Sequence, residues 1–231
     1  MKLGIFTDSH YSSAEITDGK RYNSKSLGKI KDAYAYFEKQ NCDLIVCLGD
    51  LLDTERTVEK EKENLREIAQ VIHGVKIPTV CLMGNHDAFT LTLQEFYSII
   101  GLNEPKDTFI DGKQLIFLDA CYFKNGSHYQ PGDSNWTDTY YPFEQELLEK
   151  LKNAKSDVYI FIHQNIDTAI VPSHRLFNAD ALFNIINGSG KVKAVFQGHY
   201  HKGQRSKYDG VKYIAFPAMC ENDDAVFILD I

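Results

Sequence analysis

Aspartate, asparagine and histidine side chains directly follow five short apolar stretches of this chain. In chain order, these positions are Asp8-Ser9-His10, Gly49-Asp50, Gly84-Asn85-His86, His163 and Gly198-His199-Tyr200-His201. They include five of the eight histidines in the sequence. Neutral imidazoles and carboxylates are the usual protein ligands of divalent ions such as Mn²⁺, Fe²⁺ and Zn²⁺. The pattern therefore predicts a site for divalent metal.

The apolar stretches are rich in valine, isoleucine and phenylalanine and show little alternation, which is typical of strands covered on both faces. They are Leu3–Thr7, Leu44–Leu48, Thr79–Met83, Leu115–Leu118, Val158–Ile162, Val192–Gln197, Val211–Phe216 and Ala225–Leu229. Helical spacing of apolar residues occurs between them, in stripes from Leu27 to Phe37 and from Leu65 to Ile72, and in Phe143–Leu151 and Ala179–Ile186. This alternation predicts an α/β sandwich with a largely parallel sheet, in which the last two stretches form an antiparallel hairpin.

The carboxyl ends of parallel strands meet at one edge of a sheet, where ligands bind. We expect Asp8 and His10 to point to one face, because side chains of a strand alternate with a period of two, and His199 and His201 to repeat this arrangement. Glycines at 49, 84 and 198 would permit close backbone approach. The candidate ligands are Asp8, His10, Asp50, Asn85, His163, His199 and His201. Because they exceed the needs of one ion, they predict a two-metal site with a bridging carboxylate and a shared hydroxide as nucleophile.

The motifs Asp-x-His, Gly-Asp-x-x-Asp, Gly-Asn-His-Asp, a lone His and Gly-His-x-His, in this order, resemble those of the calcineurin-like metallophosphoesterase superfamily. The resemblance extends from residue 3 to about residue 201. It implies one metallophosphoesterase domain over residues 1–231, with an α/β fold in which two mixed sheets form a four-layer αββα sandwich. The activity that it implies is hydrolysis of a phosphoester by a metal-bound hydroxide.

The resemblance also assigns roles to individual residues. One ion would be held by Asp8, His10, Asp50 and His201, and the second by Asp50, Asn85, His163 and His199. His86 matches the histidine that protonates the leaving oxygen, and Asp53 matches the carboxylate that orients this histidine. An aspartate after a turn is also commonly a helix cap, so Asp53 has that alternative reading.

A narrower resemblance is carried by Arg21-Tyr22 with the first helix, by Gly-His-x-His-x-Gly ending at Gly203, and by the later Gly-Val-Lys-Tyr. These features are similar to the manganese-dependent ADP-ribose/CDP-alcohol pyrophosphatases, cousins of the class III cyclic nucleotide phosphodiesterases. They imply a small nucleotide-like phosphodiester or diphosphate substrate, and they favour manganese over iron or zinc. Phosphoprotein phosphatases carry Arg-Gly after Gly-Asp-x-x-Asp, whereas Thr54-Glu55 follows here, which argues against a phosphoserine phosphatase.

Three further residues are candidates for contacts with the substrate. Arg175 and Arg205 lie near His163 and His201 in sequence, and either guanidinium could bind a phosphate through two hydrogen bonds. Trp136 could stack on a nucleobase. Each also has an ordinary reading, as an exposed surface arginine or an aromatic side chain that packs its own loop. The irregular segment 122–141, which contains Trp136, is a candidate wall of the substrate pocket.

Composition narrows the function further. The chain has 231 residues, 43% of them hydrophobic, which excludes a disordered or fibrous protein. Its 32 acidic and 25 basic residues give a net charge of −7, which disfavours extended nucleic acid as a partner and therefore a nuclease. A phosphomonoesterase of the same superfamily remains an alternative. A non-catalytic scaffold is disfavoured because all the matching ligands and His86 are present.

The sequence also bears on location. No apolar stretch approaches the length of about 20 residues that crosses a bilayer, so no membrane association is expected. The five cysteines are odd in number and show no Cys-x-x-Cys pairing, which favours unpaired thiols in a reducing cytoplasm. The oligomeric state is left open.

Overall fold

Two mixed β-sheets form the centre of the molecule in the computed structural model, which describes residues 1–133 and 139–231. The strands in this part of the chain are β1 Lys2–Phe6, β2 Leu44–Cys47, β3 Thr79–Cys81, β4 Thr108–Ile110, β5 Lys113–Leu118, β6 Asp157–Ile162, β7 Val192–Gln197, β8 Gln204–Tyr208, β9 Val211–Ala215 and β10 Phe227–Asp230. The helices are α1 Ser26–Lys39, α2 Val58–Ile72, α3 Asn85–Thr90, α4 Leu93–Ile100, α5 Glu144–Asn153 and α6 Ala179–Gly188.

The first sheet has the order β10-β1-β2-β3, and the second has the order β4-β5-β6-β7-β9-β8. Strands β1, β2 and β3 are parallel to one another, as are β5, β6, β7 and β9. The antiparallel strands are β10, β4 and β8, each at a sheet edge. The predicted largely parallel arrangement and the two mixed sheets are therefore confirmed.

The predicted hairpin of the last two strands is wrong. Strand β9 pairs antiparallel with β8, whereas β10 crosses to the other sheet and pairs antiparallel with β1, with Leu229 opposite Leu3. Strand β8 escaped prediction because its sequence, Gln-Arg-Ser-Lys-Tyr, is polar and its residues are only partly covered, as is usual at a sheet edge. The true hairpin partner was therefore not visible as an apolar run.

Three apolar cores separate four layers. Residues such as Ile5, Val46 and Phe161, which come from both sheets, form a core between them. Helices α1, α2 and α4 cover the outer face of the first sheet, where Phe37 and Ile68 are buried. Helices α5 and α6 cover the outer face of the second sheet. This layering confirms the αββα sandwich.

All four helices indicated by apolar spacing are present. The structure has two further helices, α3 and α4, that no sequence pattern predicts. Helix α3 has six residues and α4 has eight, too short for a full amphipathic stripe. Helix α4 begins with a capping box, in which Thr92 Oγ1 accepts from Glu95 N and Glu95 Oε2 accepts from Thr92 N. Among the described residues, no helix is both long and apolar enough to cross a membrane.

Glu95 also ties α4 to α2, since its Oε1 lies 2.7 Å from Lys62 Nζ. The hydrogen bond from Lys62, together with those from Thr92, lowers the pKa of Glu95 to about 2. A carboxylate whose pKa is lower in the folded than in the unfolded chain stabilises the fold at neutral pH, and this stabilisation is lost as the pH falls through the folded pKa.

We therefore expect Glu95→Gln to lower the free energy of unfolding at pH 7 by less than about 1 kcal/mol, because the glutamate side chain is 40% exposed and its ion pair is screened by solvent. The difference from the unsubstituted protein should shrink as the pH falls from about 5 to about 3. Urea denaturation of both proteins at pH 7, at about pH 5 and at about pH 3 measures this difference in the free energy of unfolding. A difference that did not change with pH would contradict a charge effect, because glutamine keeps the capping oxygen.

Candidate metal centre and active site

The candidate ligands lie where strands of both sheets end at one edge of the sandwich. Asp8, His10, Asp50 and His199 all have left-handed backbone conformations, with φ of 52°, 45°, 52° and 63°. Such conformations are uncommon for residues other than glycine, and they concentrate at functional sites. The convergence of Asp8 and His10 is confirmed, but its predicted cause is wrong. Strand β1 ends at Phe6, so turns beyond the strand, rather than its period of two, direct these side chains.

One cluster of donor atoms comprises side chains from three loops. Asp8 Oδ1 lies 3.8 Å from His10 Nε2 and 3.4 Å from His201 Nε2. The two imidazole nitrogens are 3.2 Å apart. Cys220 Sγ lies within 4.8 Å of a nitrogen of each histidine.

A second cluster lies beside the first. His163 Nε2 is 3.1 Å from Asn85 Oδ1 and 3.1 Å from Asp50 Oδ2. A nitrogen of His199 lies within 4.8 Å of the ligand atoms of Asp50 and His163. Asp50 Oδ2 also lies 3.7 Å from His10 Nε2, so this carboxylate is positioned between the two clusters.

The donor set fits divalent metal on geometric and chemical grounds. Two ligand atoms bound to one ion at about 2.1 Å and at right angles to each other lie about 3 Å apart, and the distances above are at or slightly beyond that value. His163 Nδ1 lies 2.8 Å from Leu48 O, and His201 Nδ1 lies 2.5 Å from Glu221 Oε1. In both rings Nε2 is therefore the nitrogen that faces the cluster, as in metal-binding histidines whose other nitrogen donates to an oxygen.

The electrostatics of these clusters favour a cation. Burial raises the pKa of Asp8, but the hydrogen bonds of His10 and His201 outweigh it and hold the pKa well below its usual range. For His163, burial lowers the pKa, but the negative charge of Asp50 raises it to about 9. Burial lowers the pKa of His199 to about 3. Buried carboxylates that stay ionised make a site that attracts positive charge.

His86 and Asp53 lie together at the edge of these clusters. His86 Nδ1 is 3.4 Å from Asp53 Oδ1, and Asn23 Nδ2 donates to Asp53 Oδ2 at 2.9 Å. Burial lowers the pKa of His86, but the charges of Asp50 and Asp53 raise it above its ordinary value. The helix-cap reading of Asp53 is wrong, because Thr57 caps α2 through its bond from Lys60 N.

Asp87 connects the two loops that carry Asp50 and Asn85. Its buried carboxylate accepts hydrogen bonds from the backbone nitrogens of Leu51, Leu52 and Gly84. Burial, followed by the charge of Asp50, raises the pKa of Asp87 to about 7. Asp87 therefore fixes the backbone around the clusters from outside the set of candidate ligands.

The clusters open into a cleft of about 390 Å³. Asp50, Asn85, His86, His199 and His201 line its floor. Its walls are formed by Lys20, Arg21, Val171, Ser173, His174, Tyr200 and Lys202.

Two of the three predicted substrate contacts, Arg175 and Arg205, are not among these residues. Arg175 Nη1 pairs with Asp180 Oδ1 at 2.9 Å, and Arg205 is exposed on strand β8. Trp136 lies outside the described residues. The arginine that does line the cleft is Arg21, whose Nη1 lies 3.5 Å from Asp53 Oδ2. Its signal in the sequence is the Arg21-Tyr22 pair, which carries part of the narrower resemblance.

None of the described residues of segment 122–141 lines this cleft. Tyr122 and Tyr141 line a separate cavity of about 220 Å³, together with Tyr97 and Asp119. Its role as a wall of the substrate pocket stays a prediction.

Comparison with known proteins identifies the family. A model of the calcineurin-like phosphoesterase family matches residues 1–203. A "Probable cyclic nucleotide phosphodiesterase" of Colwellia psychrerythraea is 27% identical over 201 residues, covering 84% of this chain and 69% of the relative. The 3',5'-cyclic adenosine monophosphate phosphodiesterase of Haemophilus influenzae is 23% identical over 226 residues, covering 95% of this chain and 77% of the relative.

Among solved structures, a dimetal phosphatase from Danio rerio superposes with a TM-score of 0.77. The match covers 98% of this chain and 91% of that chain at 16% identity, and it confirms the fold. The chain belongs to the calcineurin-like phosphoesterase family. It is a hydrolase that acts on phosphoester bonds, and its family implies divalent metal ions.

Gly84 provides a test of the geometry around Asp50. A Cβ at this position would lie 2.1 Å from Asp50 Oδ1 and 2.3 Å from Asp50 N, distances that require the aspartate to move. We expect Gly84→Ala to weaken Mn²⁺ binding by about tenfold or more, measured by titration calorimetry. Gly28→Ala is the matched control, because a Cβ there meets no atom within 4 Å and its helix tolerates alanine. Equal Mn²⁺ affinity in both variants would contradict a metal role for Asp50.

Proposed function

We propose that two divalent ions bind side by side at this centre. Asp8, His10, Asp50 and His201 would hold one, and Asp50, Asn85, His163 and His199 would hold the other. The observation that carries this proposal is the position of Asp50 Oδ2, 3.7 Å from His10 Nε2 and 3.1 Å from His163 Nε2, between the two clusters. When bound, a pair of ions activates water as a nucleophile and neutralises the phosphate oxygens. The donor set accepts manganese, iron or zinc, and we favour manganese.

His86 would act as the general acid. It lines the cleft beside the Asp50 carboxylate, and the charges of Asp50 and Asp53 favour its protonated form. A protonated imidazole at this position can donate a proton to the oxygen that leaves phosphorus. Asp53 would hold the ring in orientation through Nδ1, which leaves Nε2 to face the substrate.

The substrate that we propose is a small nucleotide-like phosphodiester or diphosphate. The names of the relatives from Colwellia and Haemophilus support a nucleotide diester. A cleft of about 390 Å³ suits a small molecule, and Lys20, Arg21 and Lys202 supply positive charge on its walls. The net charge of −7 argues against extended nucleic acid. Five buried, unpaired cysteines support the reducing cytoplasm as the place of action.

A panel assay tests this function. The metal-stripped protein, resupplied with Mn²⁺, is offered bis-p-nitrophenyl phosphate, p-nitrophenyl phosphate, cyclic nucleotides, ADP-ribose and CDP-choline. We expect hydrolysis of one or more diesters or diphosphates, loss of activity with a chelator, and recovery with Mn²⁺. Activity confined to the monoester would contradict the proposed substrate class and favour a phosphomonoesterase.

His86→Ala tests the proposed acid. We expect this variant to keep both equivalents of Mn²⁺ but to lose turnover by about 10²–10⁴-fold on alkyl esters, whose leaving groups need a proton. Turnover of p-nitrophenyl esters should fall much less, because p-nitrophenolate leaves without protonation. Calorimetry and the ratio of the two rates measure these effects. Loss of the metals themselves would show that the role assigned to His86 is wrong.

A further inference from the structure

A carboxylate outside the proposed ligand set is in direct contact with one of the ligands. Glu221 Oε1 lies 2.5 Å from His201 Nδ1, and Lys20 Nζ lies 3.1 Å from the same glutamate oxygen. We propose that Glu221 is a positioning residue for His201, and that it makes His201 a stronger metal ligand than a histidine oriented by a neutral acceptor. This inference rests on the proposed function, since it concerns the ion that His201 would hold.

The backbone holds Glu221 in place. Glu221 follows β9 in a turn whose Ala218 N donates to His201 O and whose Cys220 N donates to Asp8 O. Tyr22 N donates in turn to Cys220 O. The turn that carries Glu221 is therefore fixed by backbone bonds to two of the loops that carry candidate ligands and to the segment that carries Lys20.

The contact determines which nitrogen of His201 carries the proton. An ionised carboxylate only accepts hydrogen bonds, so Nδ1 carries a hydrogen, and in the neutral imidazole that binds metal Nε2 keeps its lone pair. His201 Nε2 faces the cluster, 3.4 Å from Asp8 Oδ1. The side chains of His201 and Glu221 are 11% and 15% exposed, so water competes little for this bond.

A comparison with His163 shows how the negative charge of Glu221 would affect His201 as a metal ligand. The Nδ1 of His163 lies 2.8 Å from the neutral carbonyl oxygen of Leu48, in the same arrangement without a charged acceptor. A carboxylate partner raises the basicity of the imidazole more than a carbonyl does and so strengthens its bond to metal. The two proposed sites therefore differ through their outer partners as well as their ligands.

Lys20 reaches Glu221 because of a tight turn. Asp18 and Gly19 have left-handed φ values of 53° and 69°, and Thr17 pairs with Arg21 across the turn. This turn places Lys20 at the edge of the cleft. The lysine side chain is 55% exposed, so we expect its contribution to metal binding to be small.

Titration calorimetry of the metal-stripped protein with Mn²⁺ alone tests the inference. We expect Glu221→Ala to weaken one of the two equivalents by about 10–100-fold. Glu221→Gln should give an intermediate loss, because its amide oxygen can still accept from Nδ1 without the charge. Asp223→Asn is the matched control: it removes a neighbouring carboxylate whose side chain is 94% exposed, and we expect unchanged binding.

A second measurement keeps the test decisive if Glu221→Ala does not fold. Nitrogen-15 NMR of the imidazoles should show Nδ1–H in His201 of the unsubstituted, metal-free protein. Detection of Nε2–H without Nδ1–H there, or unchanged Mn²⁺ affinity in a folded Glu221→Gln variant, would overturn the proposal. One equivalent of Mn²⁺ in the unsubstituted protein would contradict the binuclear site instead, whereas the His201 tautomer would still decide the role of Glu221.

Discussion

Two ionised carboxylates, Asp8 and Asp50, are buried at the edge where the two sheets meet, and most of the site compensates for their charge. Leaving an ionised group in a protein interior without partners costs several kcal/mol. Backbone nitrogens supply part of the compensation, since His199 N donates to Asp8 and His86 N donates to Asp50. The imidazoles supply the rest, and a bound cation would complete it. Removal of bound metal should therefore lower the free energy of unfolding as well as the activity.

The backbone reaches these carboxylates only through conformations that cost energy. Left-handed residues at Asp8, Asp50 and His199 are each tolerated because the surrounding loops are bonded to one another. Asp8 N donates to Gly49 O, and His10 N donates to Asp50 O, so the first two loops fix each other. Asp87 binds the second loop to the third. The loops that carry the candidate ligands are thus held by hydrogen bonds to one another, and the strands of the two sheets position the start of each loop.

The sequence predicted what depends on local pattern and missed what depends on contact between distant segments. Buried parallel strands and helices of ten or more residues carry dense apolar patterns, so all of these could be predicted, whereas the polar edge strand β8 and the short helix α3 carry none. The motifs that carry the candidate ligands could be located because each follows a strand closely, and their role as metal ligands stays a prediction. Glu221 could not, because its partners are His201, 20 residues away, and Lys20, 201 residues away.

Contacts between distant segments also explain why the net charge of the chain does not predict the charge at the opening of the cleft. The chain carries a charge of −7, yet Lys20, Arg21 and Lys202 line the opening above the buried carboxylates. Exposed charges are screened beyond about 10 Å at 0.1 M salt, so an approaching phosphate responds to this rim rather than to the whole surface. Glu221 and Asp53 pair with Lys20 and Arg21 from the inner side, which leaves Lys202 as the wall cation without an ion-pair partner among the described residues. The rim therefore presents positive charge at the opening although the chain as a whole is acidic.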